Sequence, residues 1–529
     1  MVSPKRWIYL LHRWIGIAVC LLMAMWFVSG VVMMYVGYPK LTPAERLARL
    51  PPLALPDGCC VAPAKALAAA ARGEGNEAKP ERGGRGRGGA DPRLAMLVDR
   101  PVWLVASGGR GAAVVDAVTG ERLGPFGGDH ALRAAAAFLP GGTPRLVETT
   151  RQDIFTVSRA LDPHRPLHRV ALGDAAGTEV WVSSSTGEVV RDATAMERGW
   201  NWLGSILHWF YPLKGEWFDG WRSDAIIYTS LAGTILVALG LWVGVLRWRF
   251  RGRFKSGSKS PYRDGWMKWH HVAGLAFGAV TLTWVFSGLM SMNPWKVFDA
   301  PGPRPDPAVL AGVRLDKATF AVTPADAIER SGIKAKEVTV RLFDGRAWYA
   351  VAGADGATRL VDASDPAVPP RDRVDEARLG ALAAGLVPGH RLVSLERLQA
   401  YDDYWYGRRP HTMTGHVERA LPVWRAKYDD PNATWVHLDP RTGAIASRID
   451  SRGRVKRWLF AFLHSFDAWG WPDARPAWDA ALILLSLGGL VVSAGGVVIG
   501  WRRLKRKAGA PPVGASPSER TAEGAMAGG

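Results

Sequence analysis

The sequence predicts a membrane α-helical protein, with four transmembrane helices in two tandem halves and an α+β domain outside the cytoplasm in each half. Three observations predict it: four apolar runs, basic clusters that all fall on one side of them, and a repeat in which the second half echoes the first. Across 529 residues the hydrophobic content is 48%, an average figure that hides a strong segregation into apolar runs and polar remainder. A net charge of +19 would suggest nucleic acid in a soluble protein, but here the basic residues crowd the ends of the apolar runs.

The first span runs from about Trp14 to Tyr35, the second from about Ala225 to Leu246, the third from about Val272 to Met292 and the fourth from about Ala480 to Gly500. Each has roughly the 20 residues needed to cross a hydrocarbon core. The first is too long for a signal-peptide apolar region and lacks an A-x-A site, so it is expected to stay as an anchor. Lys5, Arg6 and Arg13 precede the first span, and Arg247 to Lys259 fill the link between the second and third. Arg502, Arg503, Lys505, Arg506 and Lys507 follow the fourth. The positive-inside rule then puts both termini in the cytoplasm and both long segments outside it, in the periplasm of a two-membrane bacterium. Many of the 25 tryptophans lie near span ends, where membrane interfaces favour them.

The repeat is read by shifting the chain on itself. A shift of 258 carries His12-x-x-x-Gly16 onto His270-x-x-x-Gly274, Trp26 onto Trp284 and Ser29-Gly30 onto Ser287-Gly288. A shift of 256 carries Leu207-His208 onto Leu463-His464, and Gly233, Gly240 and Gly244 onto Gly489, Gly496 and Gly500. The halves keep the same orientation, so this is a parallel duplication. The chain divides into an N-terminal segment with the first span (1–37), a first outer domain (38–200), a His-bearing interfacial segment with the second span (201–248) and a basic loop (249–269). The third span (270–293), a second outer domain (294–456), a second His segment with the fourth span (457–501) and a basic tail (502–529) follow.

Within the outer domains, Glu179-Val-Trp-Val-Ser and Arg341–Val351 alternate as strands do, and Ser185-Thr-Gly187, Asp344-Gly345, Asp355-Gly356 and Arg441-Thr-Gly443 signal turns. Thr323–Gly332 reads as a capped helix ending at its glycine. Residues 72–93, with Arg82–Gly89 at their centre, read as a flexible low-complexity insertion, and the tail from Ala508 reads as disordered. Only three cysteines occur, Cys20, Cys59 and Cys60, with no CxxC or CxxCH, which argues against c-type haem, iron–sulfur clusters and structural zinc.

Five of the twelve histidines fall at span ends. His12 opens the first span and His270-His271 the third, at the cytoplasmic level; His208 and His464 precede the second and fourth on the outer side. Interfacial packing would explain any one of them, but the same residue type recurs at matched places. Two imidazoles from different helices can hold one haem iron axially while apolar walls hold the porphyrin and exclude water. A bare metal ion would ask for carboxylates or thiolates, which these spans nearly lack. The register favours His270 over His271, since adjacent helical residues point about 100° apart and only His270 matches His12. His411 and His416, with Asp402, Asp403, Tyr404 and Tyr406, form a polar and aromatic cluster that reads first as a plain surface loop; contact with an iron complex is the alternative.

The His-Arg-Trp-x-Gly opening, the Phe-Val-Ser-Gly close and the two Leu-His motifs resemble the PepSY-associated transmembrane family, which includes iron-regulated inner-membrane proteins and ferric-siderophore reductases. The resemblance implies PepSY-like outer domains, a bacterial inner-membrane location, and two b-type haems. It implies His12 with His270 or His271 at the cytoplasmic-side haem, His208 with His464 at the outer one, and a ferric siderophore as acceptor. No cytoplasmic segment is large enough for a flavin or nicotinamide domain and no GxGxxG follows a strand, so the donor is expected to be a membrane quinol or a cytoplasmic reductase. A non-redox component of iron or siderophore uptake, or a PepSY-type regulatory binding module, is the competing expectation; no nucleic-acid partner is expected.

Overall fold

The computed structural model describes residues 4–72, 91–107, 111–214, 219–263, 265–412 and 415–508. Nearly all of the 72–93 insertion, and the tail after Ala508, lie outside the described residues.

Four helices are long and apolar enough to cross a membrane: Pro4–Met33, Gly220–Arg247, Trp266–Ser291 and Ala477–Arg506. All four begin before the apolar run does. Pro4 suits a first helical turn, and nothing between it and Trp14 breaks the helix. His12 therefore sits in the third turn of its helix and His270 in the second turn of its own, rather than at the helix starts. The chain divides into two compact units, a helical one (Met1–Val31, Phe218–Pro294, Leu459–Gly529) and a sheet one (Val32–Trp217, Trp295–Trp458).

In the helical unit the third span packs along both the second and the fourth. All four contribute to one apolar cluster, Val19, Cys20, Met23, Leu236 and Val285 with Val497 beside them. Glycines set the approach. A Cβ on Gly489 would lie 2.2 Å from the Phe27 ring, and one on Gly233 would lie 2.9 Å from Val285. Phe27 and Val285 are themselves repeat equivalents, so the fourth span meets the first as the second meets the third.

The sheet unit contains the same series twice. In the first half β1 (Arg93–Leu97), β2 (Arg100–Ser107), β3 (Gly111–Asp116) and β4 (Arg122–Leu123) form one meander, and β5 (Arg145–Thr150), β6 (Leu167–Ala171), β7 (Glu179–Ser183) and β8 (Val189–Ala193) form a second. The second half gives β9 (Ala335–Phe343), β10 (Arg346–Gly353) and β11 (Thr358–Asp362), then β12 (Leu392–Leu398), β13 (Val423–Tyr428), β14 (Trp435–Asp439) and β15 (Ala444–Ile449). The turn signals fall where expected, with Gly187, Gly345, Gly356 and Gly443 all at positive φ. Helix Pro324–Ser331 has Thr323 as N-cap and Gly332 in the left-handed region as its stop. Helix Gly128–Phe138 covers the β5–β8 sheet and Glu376–Ala383 the β12–β15 sheet.

Sequence patterning assigns one outer domain to each half, and the structure adds a seam between them. β1 pairs antiparallel with β9, giving a seven-stranded sheet in the order β11-β10-β9-β1-β2-β3-β4. Across this seam Arg93 stands opposite Thr339, Leu94 opposite Val338 and Ala95 opposite Glu337. A largely buried ion network locks it: Arg93 bonds Glu337 at 2.7 Å and Glu188 at 3.0 Å, and Arg46 bonds Glu337 at 2.7 Å. Buried pairs of this kind are costly to break, because the surviving charge is left without its partner. Cys59 and Cys60 are joined as a disulfide, and Cys20 is a buried free thiol in the first span.

Candidate functional site

His12 and His270 come together inside the helical unit, their ring centroids 6.2 Å apart and their planes inclined by 43°. Each ring is held by its Nδ1. His12 Nδ1–H donates to the carbonyl of Leu236 in the second span at 3.1 Å, and His270 Nδ1–H to the carbonyl of Val492 in the fourth at 2.9 Å. Leu236 and Val492 are separated by the same 256 residues that relate the other matched positions of these spans. Only the protonated Nδ1 can donate to a carbonyl, so in the neutral imidazoles the lone pair is on Nε2. This is the arrangement in which an outer carbonyl fixes the tautomer of a metal-binding histidine. Gly240 makes room for it, since a Cβ there would come within 2.7 Å of His12 Cε1; on the opposite side Gly495 would bring one within 3.2 Å of His270.

His271 behaves differently. Its Nε2–H donates to Gly244 O at 2.9 Å and its Nδ1 takes the Ser260 hydroxyl at 2.8 Å, with Tyr262 and Trp248 edge-on around it. Both nitrogens are used, and the tautomer is the opposite one. Its geometry is that of a tie between the end of the second span and the loop after it, whereas His270 is the ring that meets His12.

His464 lies in the turn after a π-helical stretch, Arg457–Phe462, and its Nδ1 is 3.0 Å from Ser287 Oγ in the third span. His208 follows the matched π-helical stretch, Trp202–Ile206. Two residues beyond each histidine a phenylalanine, Phe210 or Phe466, takes a left-handed backbone at φ 53° or 50°. The extra residue of a π turn and an unfavourable φ at a non-glycine are both features that gather at functional sites. Here the two halves carry them at the same rank.

The cluster around 402–416 is brought together in part. Asp402 is absorbed in structure, accepting both guanidinium nitrogens of Arg425 (2.6 and 2.9 Å) and the amides of Tyr404 and Trp405. Tyr404 OH accepts the Trp458 indole N–H, and Tyr406 lies between Arg408 and Arg457. Arg457 Nε donates to the Asp403 carbonyl. His411 donates from Nε2 to the carbonyl of Met34, packing so tightly that Gly37 could carry no side chain. His416 is exposed.

Among the described residues no group of three or more His, Cys, Asp or Glu is placed to hold a metal ion. The central donor set is therefore two imidazoles, and an ion held by it must bring its remaining ligands. Residues 9–354 match the PepSY-associated TM region. The chain belongs to that family. The matched stretch contains His12, His208, His270 and His271, while His464 enters through the repeat. No curated protein matches the chain. What patterning alone did not flag are the backbone carbonyls of Leu236 and Val492 and the hydroxyls of Ser260 and Ser287; of these only Ser287 left a trace, as a matched position of the repeat.

Proposed function

We propose that this protein is a haem-b-containing membrane oxidoreductase that passes electrons across the bilayer to a ferric siderophore or similar iron chelate. The observation that carries this reading is the His12–His270 pair. Imidazole nitrogens bind first-row metal ions at about 2.0–2.1 Å, so rings on opposite sides of one ion have centroids roughly 6 Å apart. The pair has that separation, fixed tautomers with the lone pair on Nε2, and no third metal-binding side chain grouped with it among the described residues. A porphyrin supplies the four ligands such a site lacks.

When bound, haem b supplies a one-electron ferric/ferrous couple. His12 and His270 would hold one such group, and the carbonyls of Leu236 and Val492 would keep both rings from rotating. The cluster of Val19, Met23, Leu236 and Val285 would exclude water from it. A haem held by both histidines would supply electron transfer rather than oxygen chemistry. His464 and, in the other half, its repeat equivalent His208 are proposed as further haem ligands. In this reading both termini are cytoplasmic and the sheet unit lies on the far side, where one electron from a quinol or cytoplasmic reductase converts the chelated Fe(III) to Fe(II).

The test is a haem-stoichiometry measurement on the full chain, purified after expression with ample haem. Reduced-minus-oxidised spectra should show b-type bands and two haems per chain. A colourless protein would sink the proposal and leave the non-redox binding reading in its place.

A further inference from the structure

We infer that Ser287 is a positioning residue for His464, holding it in the protonation form and orientation needed to ligate iron through Nε2; this rests on the haem reading above. Ser287 is fully buried in the third span. Its hydroxyl lies 2.9 Å from the Trp284 carbonyl and 3.0 Å from His464 Nδ1. A serine has one proton to give and two lone pairs to receive. The carbonyl can only accept, so the Ser287 O–H goes to Trp284 O, and the hydroxyl oxygen then accepts the Nδ1–H of His464. Both contacts are satisfied only in this direction. The opposite direction would leave two acceptor oxygens facing each other at the Ser287–Trp284 contact and move the proton onto Nε2, the nitrogen needed as ligand.

The result is the same tautomer that the Leu236 and Val492 carbonyls impose on His12 and His270, reached by a different donor set. The difference has a structural cause. His464 stands just beyond a π-helical stretch, with the Phe460 ring 5.6 Å away, and it is a hydroxyl from the third span that meets its Nδ1. A hydroxyl is a weaker acceptor than a carbonyl. It withdraws less of the Nδ1 proton and leaves the ring a poorer electron donor. The two levels of histidine are thereby set to different ligand strengths by their second partners. The first-half equivalent, Ser29, is likewise buried and bonds the Trp26 carbonyl at 3.2 Å, so the serine is built into both spans.

The experiment compares wild type, Ser287→Ala, Ser287→Thr and His464→Ala, each as the full chain, by haem content, low-temperature EPR and redox titration. His464→Ala should lose one haem and keep the other, which serves as an internal check of folding. Ser287→Ala should keep the haem at His12–His270 unchanged and lose about 10–100-fold in affinity for the other, the usual penalty for removing a partner of this kind. Any haem retained there should show altered EPR g values. Ser287→Thr keeps the hydroxyl and should restore wild-type behaviour. If the wild type binds haem, and Ser287→Ala matches it in content, g values and potential, the inference fails while the haem reading stands. A threonine variant no better than alanine would also overturn it. A wild type without haem would overturn both.

Discussion

The two halves of this chain agree closely in one unit and only in outline in the other. In the helical unit the agreement reaches single hydrogen bonds: His12 to Leu236 and His270 to Val492 are the same contact made twice. In the sheet unit the halves share strand order and some turns. Asp174 caps the Thr178 amide as Asp430 caps that of Thr434. Yet the core position filled by Trp181 in β7 is filled by His437 in β14, each fully buried. Trp181 gives its indole N–H to Asp153; His437 accepts from Arg425 Nε and donates to Ser447. A sheet core asks only for volume and satisfied polar atoms, and two different solutions serve. A group gripped from both sides by two helices, as proposed for His12 and His270, would need both grips alike.

The comparison is broken most severely at the imidazole pair. His12→Ala and His270→Ala should each abolish one haem completely, to the same extent, and the double variant should be no worse than either single one. Two ligands of one iron act as a unit and so are not additive. Pyridine-haemochrome assay of the three purified variants checks this, and unequal singles would mean the rings serve different groups. His271→Gln, in contrast, should leave haem content unchanged.

The next largest effect belongs to the seam. Arg93 sits between the carboxylates of Glu188 and Glu337, whose side chains are 9% exposed, so Arg93→Ala should destabilise the sheet unit by about 3–5 kcal/mol. The neighbouring Arg341–Asp91 pair crosses the same seam but is 30–38% exposed, and Arg341→Ala should cost no more than about 1 kcal/mol. Denaturant unfolding of the full chain followed by circular dichroism separates the two. Equal midpoints would show that the network does not hold the halves together.

The features legible in the sequence are those encoded locally. Apolar length marks the spans, Thr323 and Gly332 mark both ends of their helix, and each glycine of the strand turns sits where a positive φ is required. The histidine register was legible because side-chain identity repeats. The anchors at Leu236 and Val492 were not, since a backbone carbonyl is the same in every residue. The β1–β9 pairing was hidden for a related reason: alternation shows that a strand forms, but not which distant edge it joins. The orientation of His411 was hidden too, because it depends on a carbonyl, at Met34, more than three hundred residues away.

The smallest effect is graded with pH and distinguishes the two sheet cores directly. Burial, reinforced by the charges of Arg425 and Arg419, pushes the pKa of His437 down to about 3, while Trp181 in the other half has nothing to titrate. In the unfolded chain a histidine titrates near 6.5. Between these values the unfolded state holds a proton that the folded state refuses. The contribution of His437 is therefore complete above about pH 6.5 and falls as the pH drops toward 3, by up to about 1.4 kcal/mol per pH unit. Asp192 of β8 works in the opposite sense. Burial and the nearby Glu45 and Glu197 raise it to about 6, so its contribution is complete below about pH 3.8 and is lost as the pH rises through 6. The two overlap between about pH 4 and 6, and wild type alone would show only their difference. His437→Gln can accept from Arg425 and donate to Ser447 without titrating, and should flatten the acid limb of the melting temperature. Asp192→Asn should steepen that limb. An acid limb of unchanged slope in His437→Gln would mean that His437 contributes nothing to the pH dependence of stability.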